Sequence, residues 1–214
     1  MSITLTLILV IFTSLISYQA FENYTMRQKL IMHPASVKQR GEFYRFLTSG
    51  FIHANWMHLI INMYVLFTFG EAVEKALNYY FGGGMGRILF TVLYLGAIII
   101  SSVPSYIKHQ NNEYYSALGA SGGTSAIVFA FIFFDPWQWF LFPPLPGVLL
   151  AVAYLMYSSY MSKKGGDNIG HDAHLWGAVY GLVFMIVICI IWHPELLNAA
   201  IQLFLEGPSA PNFI

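Results

Sequence analysis

Ser121, His174, His58 and Asn62 are the residues of this chain whose types and spacing could do chemistry together. Ser121 lies in Gly119-Ala120-Ser121-Gly122-Gly123, at the head of an apolar run that reaches Phe134. In the first turn of a helix the backbone N–H groups lack intrahelical partners and the macrodipole favours negative charge, which suits a hydroxyl nucleophile. His174 opens another apolar run, Ala173-His174-Leu175-Trp176-Gly177-Ala178-Val179-Tyr180-Gly181. Its imidazole stands three residues before Gly177, on nearly the same face as the small residues Gly177 and Gly181. Packed on the glycine-rich start of the Ser121 helix, that face would bring the imidazole to the hydroxyl. There it could take the proton during attack and return it to a leaving amine. His58 and Asn62, at i and i+4, share one face of a third run. An imidazole N–H, a carboxamide N–H and the Ser121 backbone amide would make three donors to the oxyanion of an acyl transfer.

Taken singly, each residue also has a structural reading. Gly-Ala-Ser-Gly clusters in membrane helices serve packing, a histidine can be satisfied at the headgroup boundary, and an asparagine can hydrogen-bond between helices. Gly119, Gly122 and Gly123 would in either case admit a close backbone and an irregular start to the helix. His53, five residues before His58, suits a supporting role. Asp172, two residues before His174, falls on roughly the opposite helix face and is expected to be a hydrated cap. The residues therefore support a Ser-His dyad without a third member.

The elements that must position these groups are membrane helices. The chain has 214 residues, 57% hydrophobic and 9% charged, with 18 Phe, 14 Tyr and 5 Trp, far from the quarter-charged balance of soluble domains. Formal net charge is zero and no Lys/Arg block could track a nucleic-acid backbone, so nucleic acid is excluded as the expected partner. The single cysteine, Cys189, cannot form an internal disulfide and is expected to pack. Six stretches could cross a hydrocarbon core of about 30 Å: approximately 3–20, 58–77, 88–107, 117–134, 145–161 and 173–192. The first lacks a basic n-region and is taken as a retained span. Unpaired backbone amides are costly in lipid, so all six are expected to be helices, giving an all-α, six-helix bundle over residues 1–193 with a short tail at 194–214. The connection from Phe21 to Met57 mixes Arg27, Lys29, Lys38, Arg40 and Arg45 with aromatic residues, the composition of a structured, interface-lying segment. Gly82-Gly83-Gly84 is expected to be a flexible turn, prolines from Pro136 to Pro146 to hold the next long connection, and the polar stretch Ser162 to Asn168 to be mobile. Within this bundle the second, fourth and sixth helices begin on one side, and His58 and Asn62, Ser121, and His174 all lie near those starts. Polar side chains in membrane segments are expensive and mark a functional site or a wet cavity.

The combination resembles the rhomboid family of intramembrane serine proteases, over roughly Tyr44 to Gly181. The features that carry the resemblance are Tyr44-Arg45-Phe46-Leu47-Thr48, the series His53, His58, Asn62 followed by Glu74, the group Gly119-Ala120-Ser121-Gly122, and Ala173-His174 with Gly177 and Gly181. The resemblance implies a six-helix core, set in a lipid bilayer, that cleaves single membrane-spanning protein substrates near the membrane surface, with no cofactor or metal. It implies Ser121 as nucleophile, His174 as general base and acid, and His58, Asn62 and the Ser121 amide as the oxyanion site. Gly119, Gly122, Gly177, Gly181, His53, Arg45 and Glu74 would support them. The fifth helix and the polar loop after it would gate lateral access. Many family members carry a tyrosine four residues after the nucleophile that packs on the catalytic histidine; this chain has Ser125, so what holds the imidazole is left open. The family arrangement implies a multi-pass protein of the cell membrane with the site towards the extracytoplasmic side. Eight of the ten Lys/Arg fall on that side, against the positive-inside expectation. Two other readings use the same residues: a metal-binding membrane protein or transporter built on His53, His58, His171 and His174, and a non-catalytic relative that binds membrane helices. Substrate and oligomeric state are not legible.

Overall fold

The computed structural model describes residues 3–140, 144–164 and 170–208. Its helices are α1 (Leu5–Glu22), α2 (Tyr24–Leu30), α3 (Pro34–Arg40), α4 (Arg45–Thr48), α5 (Trp56–Phe81), α6 (Gly83–His109), α7 (Ser121–Phe134), α8 (Gly147–Lys164), α9 (His171–Trp192) and α10 (Pro194–Glu206). Among the described residues no strand forms beyond isolated bridges, and α1, α5, α6, α7, α8 and α9 make a multi-pass membrane bundle. Four of these, α1, α5, α6 and α9, have the length and apolarity to cross a membrane by themselves, while α7 is shorter. At about 1.5 Å per residue, a helix of α7's length rises only about 21 Å, short of the hydrocarbon thickness. The bundle encloses it: ten of its 14 residues are buried, between α5, α6 and α9.

Close packing explains that enclosure. A Cβ on Gly123 would lie 2.7 Å from the Tyr94 ring of α6, and one on Gly122 would lie 2.8 Å from Ser101 Cβ. On the other side, a Cβ on Gly177 would lie 2.8 Å from Gly122 Cα, and one on Gly181 would lie 2.6 Å from Ala126 Cα. Gly177 and Gly181 thus lay α9 directly on the α7 backbone.

Most boundaries shift by a few residues from the sequence expectation, and two of the shifts have a local cause. The fourth span, expected from 117, becomes helical only at Ser121. Gly119 has φ +122, a conformation no helix contains, Ala117 pairs with Met32, and Gly119 N–H donates to the Ser49 carbonyl at 2.9 Å. Of the expected flexible turn at 82–84, only Gly82 (φ +77) makes the turn; Gly83 and Gly84 already belong to α6. The polar connection after α8 falls largely on 165–169, and part of the proline-containing connection on 141–143, both outside the described residues.

The first loop is folded, as its composition suggests. Buried Arg45 donates from Nη1 to the Gln28 and Ile31 carbonyls at 2.8 and 2.7 Å and from Nε to Glu42 at 2.6 Å. One planar fork, with its donors in fixed directions, therefore ties α2, the turn after it and the start of α4. Buried Glu74 of α5 accepts from Leu5 N–H, Thr6 N–H and Thr6 Oγ1 at 2.8–2.9 Å. A carboxylate there meets the orphan amides and positive dipole end of α1.

Candidate active site

Ser121, His174, His58 and Asn62 line a single cavity of about 820 Å³ between α5, α7, α8 and α9. Ser121 is the first residue of α7, preceded by Ala120 at φ −73, ψ 0, and no side chain caps this N-terminus. Of the first three residues of α7, Ser121 alone lines the cavity. His174 comes from the first turn of α9. Because Gly177 sits on Gly122, the turn of α9 bearing His174 stands level with the segment that leads into Ser121.

His58 is fixed by two contacts. Asn55 caps α5 by accepting from His58 N–H at 2.9 Å, and the Ala54 N–H faces His58 Nδ1 at 3.5 Å, leaving Nε2 as the ring's donor. That edge of the ring lies over Gly119, where a Cβ would stand 2.6 Å from Cε1 and 2.8 Å from Nε2. Gly119 is thus glycine twice over, for its φ and for the imidazole above it. Buried Asn62 donates one amide hydrogen to the His58 carbonyl at 2.9 Å and accepts at Oδ1 from Thr124 Oγ1 at 3.1 Å. These bonds fix its flip and leave its second amide hydrogen for the cavity.

His53, in the turn before α5, is fully buried beneath the start of α7. Ala120 N–H donates to its Nε2 at 3.2 Å, so the ring proton is on Nδ1, which donates to Ser17 Oγ at 2.9 Å. Ser17 in turn donates to the Phe51 carbonyl at 3.0 Å. Burial first, and then the neighbouring His58, push the His53 pKa down to about 3. A neutral ring is what this network needs, since protonated Nε2 would face the Ala120 N–H.

Arg45 and Glu74 lie outside the cavity lining and act on the loop and on α1. Asp172 bonds Ser162 and pairs with Lys108 at 3.7 Å, linking α9 to the ends of α8 and α6. His53 with His58 and His171 with His174 form two ring pairs, at 4.9 and 5.8 Å. Among the described residues no group of three or more His, Cys, Asp or Glu converges as a metal site would require. Sequence reasoning missed Thr124, Ser17 and Tyr154. Thr124 had a signal, since a hydroxyl three residues after Ser121 falls beside the buried amide of the neighbouring helix; the other two had none.

A polytopic helical bundle that gathers a helix-initiating serine, a histidine and a buried asparagine around an internal cavity is a multi-pass membrane protein with a polar site inside it. Residues 40–191 match the Rhomboid domain model, and the chain belongs to the rhomboid family. It is 26% identical to RHOMBOID-like protein 12, mitochondrial, of Arabidopsis thaliana, over 67% of this chain and 46% of that protein. It is 29% identical to Presenilin-associated rhomboid-like protein A, mitochondrial, of Danio rerio, over 64% of this chain and 35% of that protein. To Rhomboid protease GlpG of Haemophilus influenzae the identity is 25%, over 72% of this chain and 74% of that protein. The matches thus cover less than half of the first two relatives but most of the third.

Proposed function

We propose that the protein is an intramembrane serine endopeptidase that hydrolyses peptide bonds in or near the transmembrane segments of membrane-protein substrates. The observation that carries this reading is the meeting of Ser121, His174, His58 and Asn62 in one cavity at the uncapped start of a helix enclosed by the bundle. In the proposed reaction Ser121 Oγ attacks the scissile carbonyl carbon while its proton passes to His174. The oxyanion is held by His58 Nε2–H, the free Asn62 amide hydrogen and the Ser121 N–H. Collapse breaks the C–N bond, His174 gives its proton to the leaving amine, and an ester to Ser121 remains. Water, deprotonated by His174, then attacks that ester; the C–O bond to Ser121 breaks, His174 returns the proton to Ser121 Oγ, and the new carboxylic acid leaves. Each lost oxyanion donor should slow the reaction by about 10²–10³.

A helical peptide bond is shielded from attack, so substrates whose helices unwind easily, with Gly, Pro or small residues near the cut, fit this site. We place the cavity mouth towards the extracytoplasmic side of a cell membrane on the resemblance, against the Lys/Arg distribution. The test is reaction of the purified protein with a fluorophosphonate, mapped by peptide mass. An adduct on Ser121 that is lost in His174→Ala is expected; a folded protein that gives no adduct would overturn the reading in favour of a non-catalytic binder of membrane helices.

A further inference from the structure

The ring stacked on the His174 imidazole comes from α8. Tyr154 lies nearly parallel to it, with centroids 5.8 Å apart and 21° between the planes. Its phenol oxygen is 2.8 Å from Ser125 Oγ, one turn after the nucleophile on α7. We propose that Tyr154 is the positioning residue for His174, and that the dyad is therefore assembled only while α8 stays packed on α9. This inference rests on the dyad proposed above.

An imidazole is broadly free about χ2, so a flat neighbour selects its plane. Tyr154 can act as that neighbour because its own ring is held at the tip by Ser125 and along its side by Phe129, 6.3 Å away. Tyr157, one turn further along the same face of α8, meets the His171 ring edge-on at 5.5 Å. His171 in turn meets His174. Two tyrosines of α8 thus grip the two histidines that open α9. The helix that carries them packs chiefly on α9 and lightly on α7, and its other face is exposed through Leu149, Val152 and Met156. When α8 moves, both rings leave with it, so a wall of the cavity and the orientation of the base are one mechanical unit.

The test is the kinetics of fluorophosphonate labelling at Ser121 in the full chain, separating the maximal rate from the half-saturating concentration, with thermal stability measured in the same detergent. Tyr154→Leu should lower the maximal rate about tenfold to a hundredfold, a larger change than any shift in half-saturation from the altered cavity wall. Tyr154→Phe keeps the ring and should stay within about fivefold of wild type, the worth of one neutral hydrogen bond. Ser125→Ala should match it, and the two together should be no slower than either alone, because they break the same bond. Ser125→Tyr combined with Tyr154→Leu regrows a ring into the vacated space and should recover most of the rate. A Tyr154→Leu protein that labels like wild type, or a stable double variant as slow as Tyr154→Leu, would overturn the positioning role and leave the dyad standing. A wild-type protein that does not label would overturn both.

Discussion

Gly177→Ala is the smallest change that tests whether the geometry between α7 and α9 sets the rate. The added methyl would lie 2.8 Å from both Cα and C of Gly122, where carbon atoms rest at about 3.5–4.0 Å. The obstacle is backbone, so no side chain can turn aside, and the helices must part locally by about 1 Å. The consequences differ for stability and rate. Overpacking costs about 1–3 kcal/mol, and the better helix propensity of alanine returns up to about 1 kcal/mol, so the net loss lies between about 0 and 3 kcal/mol. The rate is more sensitive, because a misplacement of about 1 Å between reacting groups costs about a hundredfold, and His174 is borne on the turn just before the point of contact.

Gly181→Ala supplies the comparison. Its methyl would meet the Ala126 backbone at 2.6 Å, with a similar stability cost, but seven residues from His174. Thermal stability in detergent and the labelling rate at Ser121 should therefore separate the two variants: equal losses of stability, and a markedly larger loss of rate for Gly177→Ala. Equal losses of rate, or a Gly177→Ala protein with wild-type stability and labelling, would refute the argument that this contact sets the Ser121–His174 geometry.

Thr124→Val should remove the donor to Asn62 Oδ1 while the bond to the His58 carbonyl keeps the flip, loosening the carboxamide and slowing labelling and cleavage by up to about a hundredfold, while Asn62→Ala should cost about 10²–10³; steady-state rates on a transmembrane substrate check both. Glu74→Gln replaces a carboxylate that accepts three bonds at the start of α1 and should cost about 1.5–3 kcal/mol, read as a lower melting temperature with the labelling rate at Ser121 little changed. For His53 the folded pKa of about 3 lies below the unfolded value of about 6.5, so between them the unfolded chain binds the extra proton. Its contribution is then complete above pH 6.5 and is lost as pH falls towards 3, amounting to about 2 kcal/mol at pH 5. Melting temperatures at pH 7.5 and pH 5 should converge in His53→Gln relative to wild type; an unchanged difference would rule out His53 as the source.

The spans and the four cavity-lining residues were legible for one physical reason, the cost of a polar side chain in lipid. His58, Asn62, Ser121 and His174 stand out because their neighbours are apolar. The same rule hides Tyr154, whose ring is unexceptional in an apolar run until a histidine from another helix lies against it. It also hides the first residues of the fourth span. Leu118, Gly119 and Ala120 continue the apolar stretch, and composition does not show that Gly119 takes a φ of +122 beneath an imidazole. Arg45 was legible as a motif, whereas its work, gathering the carbonyls of Gln28 and Ile31, depends on where a loop folds back.

The N-terminal helix shows how far the site's support extends beyond the family match. Residues 40–191 carry the resemblance, and α1 lies wholly before them, yet Ser17 of α1 accepts the His53 proton that fixes which nitrogen faces Ala120. Without that acceptor the Nδ1–H would lose its partner in a fully buried place, and an unmade bond there costs about 1–3 kcal/mol. The ring would then be free to turn, and the amide just before Ser121 would lose its anchor. Glu74, inside the match, holds the other end of α1 by its first amides. The helix is thus fastened at its start by α5 and used near its end to orient a histidine under Ser121, which makes α1 part of the floor of the site and not merely a membrane anchor.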